Sequence, residues 1–132
     1  MQDVSRRQFV TLAFGTVAAL ALPRLAWATP PARQLSFYHL HTGESIKLAY
    51  AEHGRYVPGA LAELSHFLRD WRTSDTHPID PQLLDQLYAL QQLVDAPGAY
   101  NVICGYRSPK TNEMLHAHSD GVAAHSLHLE GR

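Results

Sequence analysis

The chain has 132 residues, with 11 lysines and arginines against 12 aspartates and glutamates, so its formal net charge is −1 when histidine is neutral. This balance excludes a protein with a basic footprint for nucleic acid, so we expect no nucleic-acid partner. The single cysteine, Cys104, excludes an internal disulfide, while the nine histidines exceed the three or four ligands that one metal site takes.

The first 28 residues have the layout of an export signal. The adjacent arginines Arg6-Arg7 precede an apolar run of 14 residues from Phe9 to Leu22, and Ala26-Trp27-Ala28 provides the small residues of a cleavage site. Paired arginines favour the twin-arginine type, which makes the twin-arginine translocase the expected partner during export. The alternative is an uncleaved membrane anchor, but the run is shorter than the ~20 residues of a spanning helix. We therefore predict a twin-arginine signal peptide at residues 1–28, followed by a periplasmic chain that has no membrane segment after cleavage.

After the signal, the pattern changes from strand to helix. Leu35 to His41 and Ser45 to Ala51 are β-rich runs around a glycine-containing turn, which predicts a hairpin. From Pro58 the apolar residues follow a helical period as far as Trp71. Asp80-Pro81 then provides a cap and a first-turn proline, which predicts the start of a second helix.

The second half of the chain returns to a strand and then to a third helix. Tyr100 to Cys104 is predicted as a buried strand, and its Cys104 is interpreted as a small buried hydrophobe rather than a reactive thiol. Ser108-Pro109 repeats the cap-and-proline signal and starts a helix that runs to about Ser119. Ala123 to Leu129 is predicted to be short and extended. This order predicts an α+β fold in which an N-terminal β-hairpin and helices pack on a small antiparallel sheet.

Arg107 is the first residue that could carry chemistry. It lies in Gly105-Tyr106-Arg107-Ser108-Pro109, between a predicted strand and a predicted helix N-terminus, where backbone N–H groups favour anions. An arginine in that place suits a carboxylate or a developing oxyanion. The alternative is a structural arginine that caps a neighbouring helix or pairs with a core carboxylate, and position alone does not separate the two.

The histidines near the end of the chain are the second candidate. His116 and His118 are two residues apart on a predicted helix, so they point to different faces and favour a solvated helix surface over a shared metal. His125 and His128 lie three residues apart in a non-helical stretch, where that spacing does not bring them together. Spacing alone therefore favours neither as a ligand.

Four segments in this order resemble the bacterial murein endopeptidase K family, which belongs with the zinc D-alanyl-D-alanine peptidases. They are His41-Thr42-Gly43-Glu44, His77-Pro78-Ile79-Asp80-Pro81, Gly105 to Asn112, and Gly121-Val122-Ala123 with Ser126-Leu127-His128. The resemblance covers Leu35 to Arg132. Cys104 stands where many relatives are expected to have serine, and His125 stands where asparagine is common.

The resemblance implies a zinc-dependent murein endopeptidase that hydrolyses peptide cross-links, with the peptide stems of peptidoglycan as its partner. The family's metal motif reads His-x-x-Gly-x-Ala-x-Asp, followed later by a second histidine, so His128 matches the first zinc ligand. Arg107 matches an arginine that holds the substrate or stabilises the transition state, and Ser108 lies beside it as a second substrate-binding residue.

The metal motif is incomplete at Arg132, so the resemblance implies that the remaining zinc ligands lie beyond the chain end. Residues 29–132 are accordingly predicted to be the N-terminal part of a single zinc-peptidase-like domain, truncated before the C-terminal part of its sheet and inactive alone. An alternative function is a non-catalytic module that binds a peptidoglycan peptide through Arg107 and the adjacent helix N-terminus. An inactive truncated product is the other alternative.

Overall fold

A computed structural model describes residues 30–95 and 98–132 of the chain. The predicted signal peptide, residues 1–28, lies outside the described residues. The described elements are β1 (Arg33–His39), β2 (Ser45–Glu52), β3 (Arg55–Tyr56), α1 (Pro58–Phe67), α2 (Pro81–Leu93), β4 (Tyr100–Val102), α3 (Pro109–His118) and a 3₁₀ helix (Leu127–Glu130). Within these two ranges, none of the helices combines the length and the apolar character needed to cross a membrane.

The sheet has the order β3-β2-β1-β4. β1 and β2 form the predicted hairpin, and β3 extends it as a third antiparallel strand. β4 instead pairs in parallel with β1, through residue pairs that run from Phe37 with Tyr100 to His39 with Val102. The α+β prediction is confirmed, but the sheet is mixed rather than antiparallel as predicted, since β4 runs parallel to β1.

Both predicted cap-and-proline signals begin helices in the structure. Asp80 precedes α2, where its side chain accepts a hydrogen bond from the Gln82 amide, and Ser108 precedes α3, where its hydroxyl accepts one from the Thr111 amide. The predicted extended segment Ala123 to Leu129 is wrong at its end, because the last residues form the 3₁₀ helix after a Ser126 cap. That helix stops at Gly131, whose φ of 67° lies in the left-handed region.

α1 ends earlier than its apolar periodicity predicts. The helix stops at Phe67, whereas the sequence pattern continues to Trp71. The Leu68 carbonyl accepts its hydrogen bond from the Tyr106 amide at 2.7 Å instead of from the next helical turn. The Asp70 amide and carbonyl bond to Asp75 and Ser74, so residues 68–75 form a folded loop, and a tertiary contact replaces the last predicted helical turn.

The core lies between the sheet and the helices α1 and α2. Its members are the apolar side chains that are less than a tenth exposed: Leu35, Phe37, Tyr50, Ala51, Leu64, Phe67, Leu68, Ile79, Leu84 and Tyr106. Each large buried side chain of this kind stabilises a fold by about 1.5–3 kcal/mol. Because Leu68 and Tyr106 belong to this cluster, the core itself holds the loop after α1 against the turn that carries Arg107.

Candidate functional site

The turn between β4 and α3 brings Arg107 and His128 together. The Arg107 amide donates a hydrogen bond to the His128 carbonyl at 2.9 Å, and the Gly105 carbonyl lies 2.8 Å from His128 Nδ1. Two backbone groups of one turn therefore hold one histidine of the 3₁₀ helix. The structure thus unites the two residues that the sequence singled out in different motifs.

The Arg107 side chain is half-buried and held by two neighbours. Its Nη1 donates to the Asn112 amide oxygen at 3.3 Å, and its Nη2 lies 3.8 Å from Cys104 Sγ. Its Nε is buried and has no hydrogen-bond partner among the described residues. Within residues 30–95 and 98–132, no carboxylate forms an ion pair with this guanidinium, so the pairing with a core carboxylate that the structural alternative required is not present there.

His128 is oriented so that one ring nitrogen is left for another partner. A carbonyl oxygen can only accept, so the Gly105 contact assigns the proton of the neutral ring to Nδ1 and the lone pair to Nε2. The adjacent Cys104 side chain raises the pKa of His128, and the Gly105 carbonyl adds to this, while burial acts in the opposite direction. A histidine whose Nδ1–H is held by a backbone carbonyl has the arrangement that metal-binding histidines use.

Cys104 belongs to the site rather than to the core. It is half-buried, its thiol lies 3.6 Å from the Gly105 carbonyl, and its sulfur is the contact of Arg107 Nη2. Burial raises the pKa of the Cys104 thiol, but contacts with His128 and Arg107 outweigh it and lower the pKa below its usual value. Interpreting this residue as an inert hydrophobe missed these contacts, because nothing near it in the sequence indicates that His128 is a neighbour.

The Ser108 side chain is buried within the turn, whereas the Arg107 side chain is only half-buried. Only 2% of the residue is exposed, and both its amide and its hydroxyl donate to Asp70 Oδ2, at 2.9 and 2.7 Å. It does not line the cavity described below. This geometry favours an indirect contribution to substrate binding, through the shape of the turn, over direct contact.

An open, mostly apolar cavity of about 560 Å³ adjoins Arg107 and His128. Its lining includes Arg107, Cys104 and His128, which contact one another, and apolar side chains of α2 and β4 such as Leu83, Leu87 and Val102. Cavities that combine an apolar wall with a few convergent polar groups are the usual form of a binding site. The site therefore has room for an extended ligand whose polar end meets Arg107 and His128.

The motif His77-Pro78-Ile79-Asp80-Pro81 packs against the end of the 3₁₀ helix. The Asp80 amide donates to the Gly131 carbonyl at 3.0 Å, and a Cβ at residue 131 would lie 2.4 Å from the Pro78 carbonyl oxygen. The His77 ring stacks on Tyr106, with 5.0 Å between ring centroids. The sequence analysis assigned no role to this motif. In the structure it contacts Gly131, which lies three residues after His128.

The remaining histidines near the chain end lie apart from this site. His116 and His118 are exposed on α3 and bond to the nearby carbonyls of Val122 and Met114, as a solvated helix surface predicts. His125 is also exposed. Among the described residues, no three histidine, cysteine or acidic side chains are grouped closely enough to hold a metal ion.

Asn112 and Asp70 are further members of the site that the sequence analysis missed. The Asn112 amide nitrogen donates to the carbonyls of Ala123 and Ala124, so the residue that holds Arg107 also holds the segment leading to His128. Asp70 anchors Ser108. The Gly105 to Asn112 motif included Asn112, but the partners of both residues are distant in the chain and carry no local signal.

Comparison with known proteins gives one consistent family. The family model described as peptidoglycan L,D-endopeptidase MepK matches residues 27–132. The peptidoglycan L,D-endopeptidases MepK of Escherichia coli K12 and Shigella flexneri are each 43% identical over 133 residues, which cover 98% of this chain and 73% of the relative. The probable peptidoglycan L,D-endopeptidase MepK of Haemophilus influenzae is 34% identical over 134 residues, with 98% and 72% covered. No solved structure matches the chain significantly.

Proposed function

The chain belongs to the peptidoglycan L,D-endopeptidase MepK family, and from this premise we propose that it is a zinc-dependent murein endopeptidase that hydrolyses peptide cross-links of periplasmic peptidoglycan. The relatives are named for L,D bonds, and we extend that bond class to this chain. The proposed location follows from the substrate and from the twin-arginine signal predicted at residues 1–28. That signal also makes the translocase a transient partner.

The observation that carries the proposal is the hydrogen bond between His128 Nδ1 and the Gly105 carbonyl at 2.8 Å. It assigns the lone pair of the neutral ring to Nε2, which is the donor a zinc ion needs, and His128 lines the cavity. Cys104 and Arg107 line the same cavity. The residue that matches the family's first metal ligand thus has a tautomer that suits that role. His116 and His118 share this arrangement, but of the three only His128 lines the cavity.

His128 would hold the ion together with ligands from outside the described residues, since no group of three suitable side chains occurs within them. Zinc, when bound, supplies Lewis acidity toward the scissile carbonyl and toward water. We propose that 29–132 is one part of a single peptidase domain and that it binds zinc weakly when made alone. A ligand set of one histidine cannot fix the geometry of a catalytic zinc.

Arg107 is the proposed substrate-binding and transition-state residue. Its guanidinium stays charged, has no carboxylate partner among the described residues, and is fixed by Asn112. A charge that is held in place but not neutralised can bind a stem-peptide carboxylate or the developing oxyanion without reorganising. The apolar cavity wall from α2 and β4 would hold the rest of the peptide against it.

The test compares single histidine variants in the product of the complete reading frame. His128→Ala should lose stoichiometric zinc, measured by atomic absorption, and should no longer release cleaved muropeptides, measured by chromatography. His125→Ala is the matched control, because His125 is exposed and three residues away. Full zinc content and cleavage in His128→Ala would show that the site is misplaced.

The alternative of a non-catalytic peptide-binding module gives a different result in the same experiment. It predicts muropeptide binding that depends on Arg107, with neither zinc nor cleavage in the unsubstituted protein.

Under the zinc-peptidase proposal, the polypeptide of residues 29–132 alone should bind zinc weakly at most and should not cleave muropeptides. Stoichiometric zinc and cleavage in that polypeptide would redirect attention to His116, His118 and His125.

A further inference from the structure

Asp70 is a buried carboxylate on the loop that follows α1, and only 2% of it is exposed. Its Oδ2 accepts from the amide and the hydroxyl of Ser108, at 2.9 and 2.7 Å, and its Oδ1 accepts from the Arg72 amide at 3.0 Å. Burial raises the pKa of Asp70, but hydrogen bonds from Thr111, Ser108 and the Arg72 backbone outweigh it and lower the pKa to about 2. The carboxylate is therefore ionised near neutral pH.

The cap of α3 does not by itself account for this carboxylate. Ser108 Oγ already accepts from the Thr111 amide, which completes an ordinary serine cap. Burying a charge is costly unless it is paired or fully hydrogen-bonded, and Asp70 has no cationic partner among the described residues. What Asp70 adds to the cap is a fixed position for Ser108 relative to the loop after α1.

The same loop holds the other side of the turn. The Leu68 carbonyl accepts from the Tyr106 amide at 2.7 Å, and a Cβ at Gly105 would lie only 2.4 Å from that carbonyl oxygen. The residues before and after Arg107 are thus docked on Leu68 and Asp70 of one loop. The Arg107 amide, between them, is left to bond the His128 carbonyl.

We infer that Asp70 is a positioning residue for Arg107: it acts through Ser108 to set the turn on which Arg107 and the bond to His128 depend. The expected effect on catalysis rests on the proposed function, whereas the expected effect on the position of Arg107 does not. Displacing a substrate-orienting group by about 1 Å can lower a rate by on the order of 10²-fold. A rate loss of that size is therefore expected when the Asp70 carboxylate is replaced.

The test compares Asp70→Asn with Asp85→Asn in the product of the complete reading frame. Asp85 is a matched control because it is a partly buried carboxylate held by Tyr50, Tyr56 and Arg33, none of which lines the cavity. Per folded molecule, Asp70→Asn should lower kcat for muropeptide cleavage on the order of 10²-fold, with zinc content retained. Asp85→Asn should lower the melting temperature while kcat stays within a few-fold.

Hydrogen exchange provides a readout that needs no activity. The Arg107 amide should exchange faster in Asp70→Asn than global unfolding explains, and in Asp85→Asn it should not.

If the unsubstituted protein proves inactive, the proposed function fails, but the exchange result still decides whether Asp70 positions Arg107. If Asp70→Asn does not fold, Ser108→Ala, which removes the hydroxyl donor to Asp70 together with the cap of α3, should still speed exchange of the Arg107 amide and lower kcat, by a smaller factor. Equal kcat losses in both aspartate variants, or Arg107 exchange that changes no more than in the control, would overturn the inference.

Discussion

The backbone amide of Arg107 donates to the backbone carbonyl of His128 at 2.9 Å, so the two candidate residues are joined through their main chains. Replacing either side chain leaves this bond in place. The turn and the 3₁₀ helix are therefore expected to keep this main-chain link when a functional group is removed. This separation of scaffold from side chain allows the role of each group to be measured without dismantling the site.

Arg107→Ala should lose catalysis more than it loses fold in the product of the complete reading frame. Removing one donor to a developing oxyanion costs on the order of 10²–10³ in kcat in a comparable enzyme. Steady-state muropeptide cleavage and thermal unfolding are the two measurements. Arg55→Ala, which removes an exposed arginine of β3, is the control. Turnover within a few-fold of the parent would reject the role, and a large fall in melting temperature would instead support a structural arginine.

Gly131→Ala should destabilise the protein more than Gly43→Ala. Both glycines have left-handed φ angles, of 67° and 73°, so both substitutions carry the backbone penalty of about 1–2 kcal/mol. Only residue 131 meets a backbone atom, the Pro78 oxygen at 2.4 Å, whereas a Cβ at residue 43 has no atom within 4 Å. Overpacking adds about 1–3 kcal/mol to the loss in free energy of unfolding at residue 131. Urea denaturation measures the difference, and equal losses would contradict the contact.

Asp85→Asn should remove about 1–3 kcal/mol of stability near neutral pH, because Asp85 accepts hydrogen bonds from Tyr50, Tyr56 and Arg33. Burial raises the pKa of Asp85, but these donors outweigh it and lower the pKa below the ordinary value. A carboxylate with a lowered folded-state pKa contributes stability above its unfolded pKa of about 3.9 and loses it as pH falls through the folded pKa. The gap between parent and variant, measured by denaturation at several pH values, should therefore narrow below about pH 4. If the difference in free energy of unfolding stays constant down to pH 2, Asp85 does not accept these hydrogen bonds as an ionised carboxylate.

The signal at residues 1–28 predicts export through the twin-arginine route with cleavage after Ala28. Replacing Arg6 and Arg7 together by lysine keeps the charge but removes the paired arginines that distinguish this route. The precursor should then accumulate in the cytoplasm, which cell fractionation and the N-terminal sequence of the exported protein would detect. Normal export of the double variant would disprove the route.

The elements that the sequence predicts well are those with local causes. Asp80-Pro81 and Ser108-Pro109 begin α2 and α3 as expected, because a cap and a first-turn proline act within a few residues. The hairpin of β1 and β2 likewise follows from alternation around a turn. The family was also correctly identified from its motifs, and the comparisons confirm it.

What the sequence did not predict depends on partners far along the chain. α1 stops at Phe67 because the Leu68 carbonyl bonds to Tyr106, a residue that periodicity cannot connect to it. Asp70 falls within the segment that periodicity assigned to the first helix, and its partner Ser108 lies 38 positions later, where no local pattern connects the two. Cys104 looked like a core residue for the same reason. The sequence named Arg107 and His128 as candidates, while the residues that hold them in place became visible only in three dimensions.

The parallel pairing of β1 with β4 has a consequence for the order of folding. The β1–β2 hairpin closes a short loop, but the pairing of Phe37 with Tyr100 closes a loop that contains both α1 and α2. Longer loops cost more entropy to close, and contacts between distant residues form late. The turn that carries Arg107 follows β4 and is docked on Leu68, so we expect it to be completed with or after this closure. A chain still emerging from the ribosome would thus have its hairpin formed but no assembled site, and any hydrolytic capacity would remain latent until the fold is complete.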